Sequence, residues 1–259
     1  MAPILQKHLP FAAWMDPRTA RLPGILPVEG DDWLRVDDAF AAQMAERDRL
    51  IATAPDLVHA LLPKGRAAAE ELYDTILERL RATPGYAVGP DRITRPDGVS
   101  VGADRSQPLL TLGRLVQEDL CLMEAEGNEH LMTGAILCFP ASWTLSQKIG
   151  RPLTGIHRPV PIYDDGLARR VQRLFDAIRV DQPLWRANSL LYDDPTLHQP
   201  RLEGVARPKP RENAFVRSER QCLIRLPETR AVVFAIHTYV LRIEDIPAAA
   251  ADALRRLHP

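Results

Sequence analysis

Between Cys138 and Tyr163 the chain reads CFPASWTLSQKIGRPLTGIHRPVPIY, and this stretch constrains the fold most because regular structure cannot run through it. Pro140, Pro152, Pro159 and Pro161 fix φ and remove amide donors, while Gly150 and Gly155 permit turns, so only residues 142–149 have room for two helical turns. Arg158 precedes a proline and is driven to an extended conformation, which the Pro159-Val160-Pro161 run continues. His157 is therefore expected on a stiff extended segment just after a glycine turn. A neutral imidazole on rigid backbone suits a metal or a haem iron, because chain entropy is lost before the ligand arrives. The plainer reading is a hydrogen-bonded loop histidine, since metals take several ligands and no second His or Cys lies nearby. Haem needs only one protein ligand and escapes that objection.

Hydrophobic periodicity on either side of this loop describes an α+β chain. Residues 39–53, capped by Asp37 or Asp38, carry Phe40, Met44, Arg47 and Ile51 at helical spacing, and residues 65–82 do the same with Leu72, Ile76, Leu77 and Leu80. Short extended pieces follow at 86–88, 92–94 and 99–101, then a short helix at 109–117. Gly127-Asn128 marks the turn of a hairpin whose second arm, 130–138, delivers the central loop. His130 sits beside that turn, where a surface position is expected. Beyond the loop, Asp164 or Asp165 caps a helix at 166–178, residues 184–192 read as a strand, and 216–226 with 231–240 form a second hairpin. In its last arm Val233, Ala235, His237 and Tyr239 share one face, and Val232, Phe234, Ile236 and Thr238 the other. Residues 1–35 carry five prolines and Trp14 and Trp33, which describes an extended arm anchored by aromatics, and the chain closes in a helix from about Ile246, within 241–259.

The 259 residues, 46% hydrophobic and 26% charged, can bury one sizeable core, and the order of motifs favours a single domain over 1–259. A formal charge of −1 supplies no net field towards nucleic acid or an anionic membrane. Cys121, Cys138 and Cys222 are odd in number and widely separated, so neither a disulfide framework nor a cluster-binding set is expected. With no run of ~18 apolar residues and no leader-like N-terminus, a soluble cytoplasmic protein is expected, with no membrane partner.

The segment FPASWTLSQKIGRPLTGIHRPVP resembles the central motif of the haem-dependent oxidative N-demethylase family. The likeness continues in VQEDLCLM (116–123), RANSLLY (186–192) and VRSERQCLIRLPETRAVVFAIHTYV (216–240), in order over most of the chain. One departure is Ser189, which follows Asn188 where a tryptophan is expected. The resemblance implies a PAS-like core, a curved antiparallel sheet with packed helices over a ligand cavity and helical extensions at both ends. It also implies haem b, held by His157, with oxygen-dependent oxidation of an N-methyl group of a small secondary alkylamine such as dimethylamine. The carbinolamine product falls apart to formaldehyde and the demethylated amine. The chain has neither a GxGxxG fingerprint nor a cluster-binding cysteine set, so the electrons are expected from NADPH through separate reductase subunits that carry flavin and iron-sulfur groups.

Within the matching blocks, Lys148, Arg217 and Arg220 are candidate partners for the haem propionates, the alternative being ordinary salt bridges. Trp143, Ile149, Ile156, Val160 and Phe234 could line the macrocycle slot or simply be core. Glu219 lies between Ser218 and Arg220 on a strand, faces away from both, and could pair with a protonated amine or with a neighbouring arginine. Tyr239, or His237 two residues before it, could donate a hydrogen bond to bound oxygen, the alternative being core packing. Rival functions are a haem-binding PAS-like sensor and a non-catalytic ligand-binding subunit. A metal-dependent hydrolase is weaker, because no HxxxH or HxH spacing occurs.

Overall fold

The amide groups of the long apolar runs find their partners in one large sheet. The computed structural model describes residues 2–20, 24–159 and 163–258. In chain order its elements are β1 (Leu26–Pro27), α1 (Phe40–Thr53), α2 (Pro55–Val58), β2 (His59–Leu61), α3 (Arg66–Ala82), β3 (Ala87–Val88), β4 (Arg92–Thr94), β5 (Ser100–Gly102) and α4 (Pro108–Gly113). The second half adds β6 (Asp119–Glu126), β7 (Glu129–Ile136), α5 (Leu153–His157), α6 (Asp165–Ala177), β8 (Leu184–Tyr192), β9 (Phe215–Arg225), β10 (Val232–Arg242) and α7 (Ala248–Leu257). Seven strands pair antiparallel in the order β1-β8-β9-β10-β6-β7-β2, and β3-β4-β5 form a small separate sheet. This is the α+β architecture read from the sequence, with both expected hairpins present. Among the described residues no helix is long and apolar enough to cross a membrane.

Each long strand alternates, so the sheet has two buried faces. On one, Leu120, Leu122, Val233 and Ala235 join Leu72 and Ile76 of α3 and Leu109 and Leu112 of α4 in an apolar core. On the other, Cys121, Met123, Leu223 and Ile236 pack with Leu145, Leu153, Phe175 and Ile178 from the segment between β7 and β8. Burial on both faces lets residues 120–123 and 232–236 run without a polar residue, while β8 and β9 keep Arg186, Asn188, Arg217, Glu219, Arg220 and Gln221. The arm is tied down as its aromatics suggested: the Trp14 indole donates to the Ala250 carbonyl of α7 at 2.9 Å, and Trp33 is buried. Gln6 bonds the Val240 amide and carbonyl, on the stretch of β10 that runs past its pairing with β6.

Two polar anchors set the segment between β7 and β8. Arg47 of α1 is fully buried and donates to Asp119 at 2.7 Å and to the Gly113 and Gln117 carbonyls; Asp119 in turn accepts the Cys138 and Phe139 amides at 2.7 and 2.8 Å. That carboxylate therefore fixes where β7 stops and the loop begins. At the far end Asp164 caps α6 by accepting the Leu167 amide at 2.7 Å, and Arg225 of β9 donates to the Phe175 and Ile178 carbonyls at the helix C-terminus.

Three expectations are corrected. His157 ends a short helix, α5, rather than lying on an extended segment: Pro152 sits at the helix N-cap, where a missing amide costs nothing, and Arg158, expected to be extended before Pro159, adopts helical φ −46° and ψ −39°. The run that was to continue the extension lies partly outside the described residues, as does Val160. Residues 142–149 hold only one 3-10 turn, Leu145–Gln147, after Ser142 at φ 65°. His130 is 1% exposed, not at the surface, since α6 covers it: its ring lies 5.3 Å from Phe175 and its Nδ1 meets the Gln172 amide at 2.9 Å.

Replacing Asp119 with Ala strands a buried guanidinium and two amides, a loss of about 3–5 kcal/mol, which for a chain of this size lowers Tm by on the order of 10 °C. Thermal unfolding followed by circular dichroism measures it. A shift of only a degree or two would show that Asp119 does not anchor the loop.

Candidate functional site

The face of the sheet beneath the central loop carries polar residues where apolar ones would pack more simply. Register places Asn188 of β8, Glu219 of β9 and Thr238 of β10 in one row across the strands, and Arg186, Gln221 and Ile236 in the next. The Glu219 carboxylate receives Asn188 at 3.3 Å, Gln221 at 3.2 Å and Arg217 at 3.4 Å, all long for bonds to a charged group. Arg217 spends its shorter bonds elsewhere, on the carbonyls of Phe139 at 2.6 Å and Leu197 at 2.9 Å. Arg186 donates to Gln221 at 2.8 Å. The Thr238 hydroxyl is buried and has no hydrogen-bond partner among the described residues.

His157 belongs to this face. Its Nδ1 lies 2.9 Å from the Leu153 carbonyl one helical turn back, and its ring stacks on Tyr163 with centroids 4.3 Å apart. A carbonyl only accepts, so Nδ1 carries the proton and, in the neutral ring, Nε2 presents its lone pair. Burial pushes the imidazole pKa below its ordinary value; the Leu153 bond opposes this, and the nearby charges of Lys148 and Arg186 add to it. The ring is thus held neutral in the tautomer that a metal-binding nitrogen requires. Lys148 is buried beside it, donating to the Ile156 carbonyl at 2.5 Å and to Glu203 at 2.7 Å. Trp143, Ile149, Ile156 and Phe234 pack half-buried against the apolar cluster of this same face.

Strand alternation separates the remaining candidates. Arg220 and Tyr239 lie on the opposite face, with Cys222, Ser218 and His237. The Arg220 guanidinium lies over the Trp185 ring at 5.3 Å, contacts the Cys222 sulfur and approaches Asp32 at 3.7 Å. Tyr239 accepts from Arg35 at 3.4 Å, and burial pushes its phenol up to about 12. Neither can share a site with His157 and Glu219, because the sheet lies between them. Ser189 is also on that face, bonded to Ser218 at 2.9 Å, so this departure from the expected pattern leaves the His157 side unchanged.

The far face has its own charged centre, beside a cleft of about 500 Å³ lined by His8, Asp32, Arg35, Asp37, Asp38 and Tyr239. His237, 1% exposed, sets Nδ1 2.8 Å from Glu118 and Nε2 3.0 Å from Asp37. Both nitrogens face carboxyl oxygens, which favours the doubly protonated ring. Burial opposes that charge, yet the bonds to Asp37 and Glu118 outweigh it and raise the pKa to about 9. For Asp37 burial likewise opposes ionisation, and His237 outweighs it, lowering the carboxyl to about 2.

Arg186, Asn188, Gln221 and Thr238 were not singled out as site residues from the sequence. The usable signal was the i, i+2 spacing of Arg186 and Asn188 on a strand, but only the pairing register sets that pair against Gln221 and Glu219.

The raised pKa of His237 contributes stability that is complete below its unfolded value near 6.5 and lost as pH rises through about 9. The lowered pKa of Asp37 contributes stability present above about pH 4 and lost as pH falls through about 2. Urea unfolding should therefore show a fall of a few kcal/mol between pH 6.5 and 9, and His237→Gln should flatten that limb. An unchanged slope in the variant would show that another group sets it.

Residues 24–258, nearly the whole chain, match the family model described as haem-dependent oxidative N-demethylase, alpha subunit-like.

Proposed function

The chain belongs to the haem-dependent oxidative N-demethylase, alpha subunit-like family, and from that membership we propose that it is the haem-binding oxygenase component of an amine N-demethylase. The observation that carries the reading is His157. Its proton is fixed on Nδ1 by the Leu153 carbonyl, its pKa is depressed, and its Nε2 lone pair is left for an iron. The donor set for haem b would be one neutral imidazole with half-buried Trp143, Ile149, Ile156 and Phe234 for the macrocycle, and Lys148 and Arg217, which form salt bridges with Glu203 and Glu219, would turn from those carboxylates to the propionates. Bound there, haem would supply activation of oxygen for oxidation of an N-methyl group.

The chain's own residues then bind and orient the substrate. Glu219 is an anion on the same buried face whose hydrogen bonds are all long, and it receives a small secondary ammonium such as dimethylammonium. The apolar residues of the face exclude water. Loss of the oxidised carbon as formaldehyde leaves the demethylated amine. Two electrons per turnover come from NADPH through separate reductase subunits with flavin and iron-sulfur groups, and the name alpha subunit supports an assembly of that kind. We read the chain as a single PAS-like domain, supported by five long antiparallel strands in which the first hairpin, β6-β7, joins the last, β9-β10, through β10. A cytoplasmic location agrees with an NADPH-linked partner.

The test is an absorption spectrum of the protein produced with haem supply, before and after dithionite and after addition of dimethylamine. A Soret band that shifts with the amine is expected. A band indifferent to amines would favour a haem sensor, and no band at all would overturn haem binding by this chain. In His157→Ala the iron coordination is lost while the far-ultraviolet circular dichroism stays unchanged. An unaltered Soret band in that variant would remove His157 as the ligand.

A further inference from the structure

Thr238 is 1% exposed, and its hydroxyl is among the few buried side-chain polar atoms with no hydrogen-bond partner among the described residues. Buried polar groups are almost always paired, so an orphan that a strand holds in place calls for a ligand or a water. Its neighbour is informative. Thr238 is the direct cross-strand partner of Glu219, and side chains so placed sit with Cβ atoms about 4.5–5.5 Å apart. A valine would fill the same volume without a polar atom. Glu219 itself is held loosely, by two amide groups at 3.2 and 3.3 Å and by Arg217 at 3.4 Å, while Arg217 gives its short bonds to carbonyls. Two adjacent oxygen acceptors, one anionic and one neutral, thus lie side by side on the face that carries His157.

We propose that Thr238 and Glu219 together form the recognition site for a secondary ammonium ion, the carboxylate taking one N–H and the threonine hydroxyl the other. This rests on the reading of Glu219 as the amine-binding group and deepens it by naming the residue that sets the substitution class. A dialkylammonium has two N–H donors and satisfies both acceptors. A trialkylammonium has one, spends it on the carboxylate and forgoes the bond to the Thr238 hydroxyl, which stays unpaired.

The experiment titrates the haem-loaded protein with dimethylamine and trimethylamine hydrochlorides, read by calorimetry and by the Soret shift, in the natural sequence and in Thr238→Val and Thr238→Ser. In the natural sequence dimethylamine binds about tenfold tighter than trimethylamine, the ratio expected for one buried hydrogen bond. Thr238→Val weakens dimethylamine about tenfold and leaves trimethylamine within about threefold, and Thr238→Ser restores the preference. Equal affinity for the two amines in the natural sequence would overturn the proposal without any variant. So would a Thr238→Val protein that keeps its melting temperature and binds dimethylamine undiminished, with Glu219 still free to be the amine site. Dimethylamine binding to none of the proteins, with a normal Soret band, would overturn both this proposal and the role given to Glu219.

Discussion

The buried pair of Arg47 and Asp119 is the constraint on which the rest of the arrangement depends. A guanidinium and a carboxylate removed from water cost more than their attraction returns unless further hydrogen bonds complete them. Here most of those bonds go to backbone: Arg47 holds the Gly113 and Gln117 carbonyls at and beyond the end of α4, with only its Nη2 lacking a partner among the described residues, and Asp119 holds the Cys138 and Phe139 amides. One ion pair thus joins α1 to the start of the loop, where the Arg47 guanidinium also lies over the Phe139 ring at 5.4 Å. Phe139 is held again by Arg217, whose guanidinium also takes the Leu197 carbonyl. Side-chain cations replace the hydrogen bonds that prolines deny this loop.

Much of this architecture is legible in the sequence. The alternation in 216–226 and 231–240, the turn at Gly127-Asn128 and the cap at Asp164 lead to the observed strands and helices within a few residues. The central loop is where local reasoning stops. Proline after Arg158 suggested extension, but Pro152 at the helix start is permissive, Arg158 stays helical and α5 forms. His130 was placed by its distance from a turn, and tertiary packing of α6 buried it.

The site was legible as a set of blocks and not as a set of neighbours. Glu219 and Arg217 share the face on which the loop carrying His157 and Lys148 packs, whereas Arg220 and Tyr239 come from the same blocks and fall behind the sheet. Adjacent positions on a strand are the farthest apart in chemistry, since one backbone separates them. Which partner each side chain meets depends on register between strands distant in sequence, and no single-strand pattern contains it. Asn188 and Thr238 entered the site only through that pairing.

The hairpin of β9 and β10 turns through Leu226 to Ala231, where the Leu226 amide meets the Ala231 carbonyl and Arg230 adopts φ 62°. Composition of that turn is open to drift, but its length is not. One residue inserted there would slide β10 by a step and set Tyr239 or His237 where Thr238 now faces Glu219, exchanging the contents of two chambers at a stroke. Natural variation in such a chain should accumulate as substitutions at the tip and avoid insertions and deletions, so the count of residues in a surface turn guards the chemistry of a buried wall.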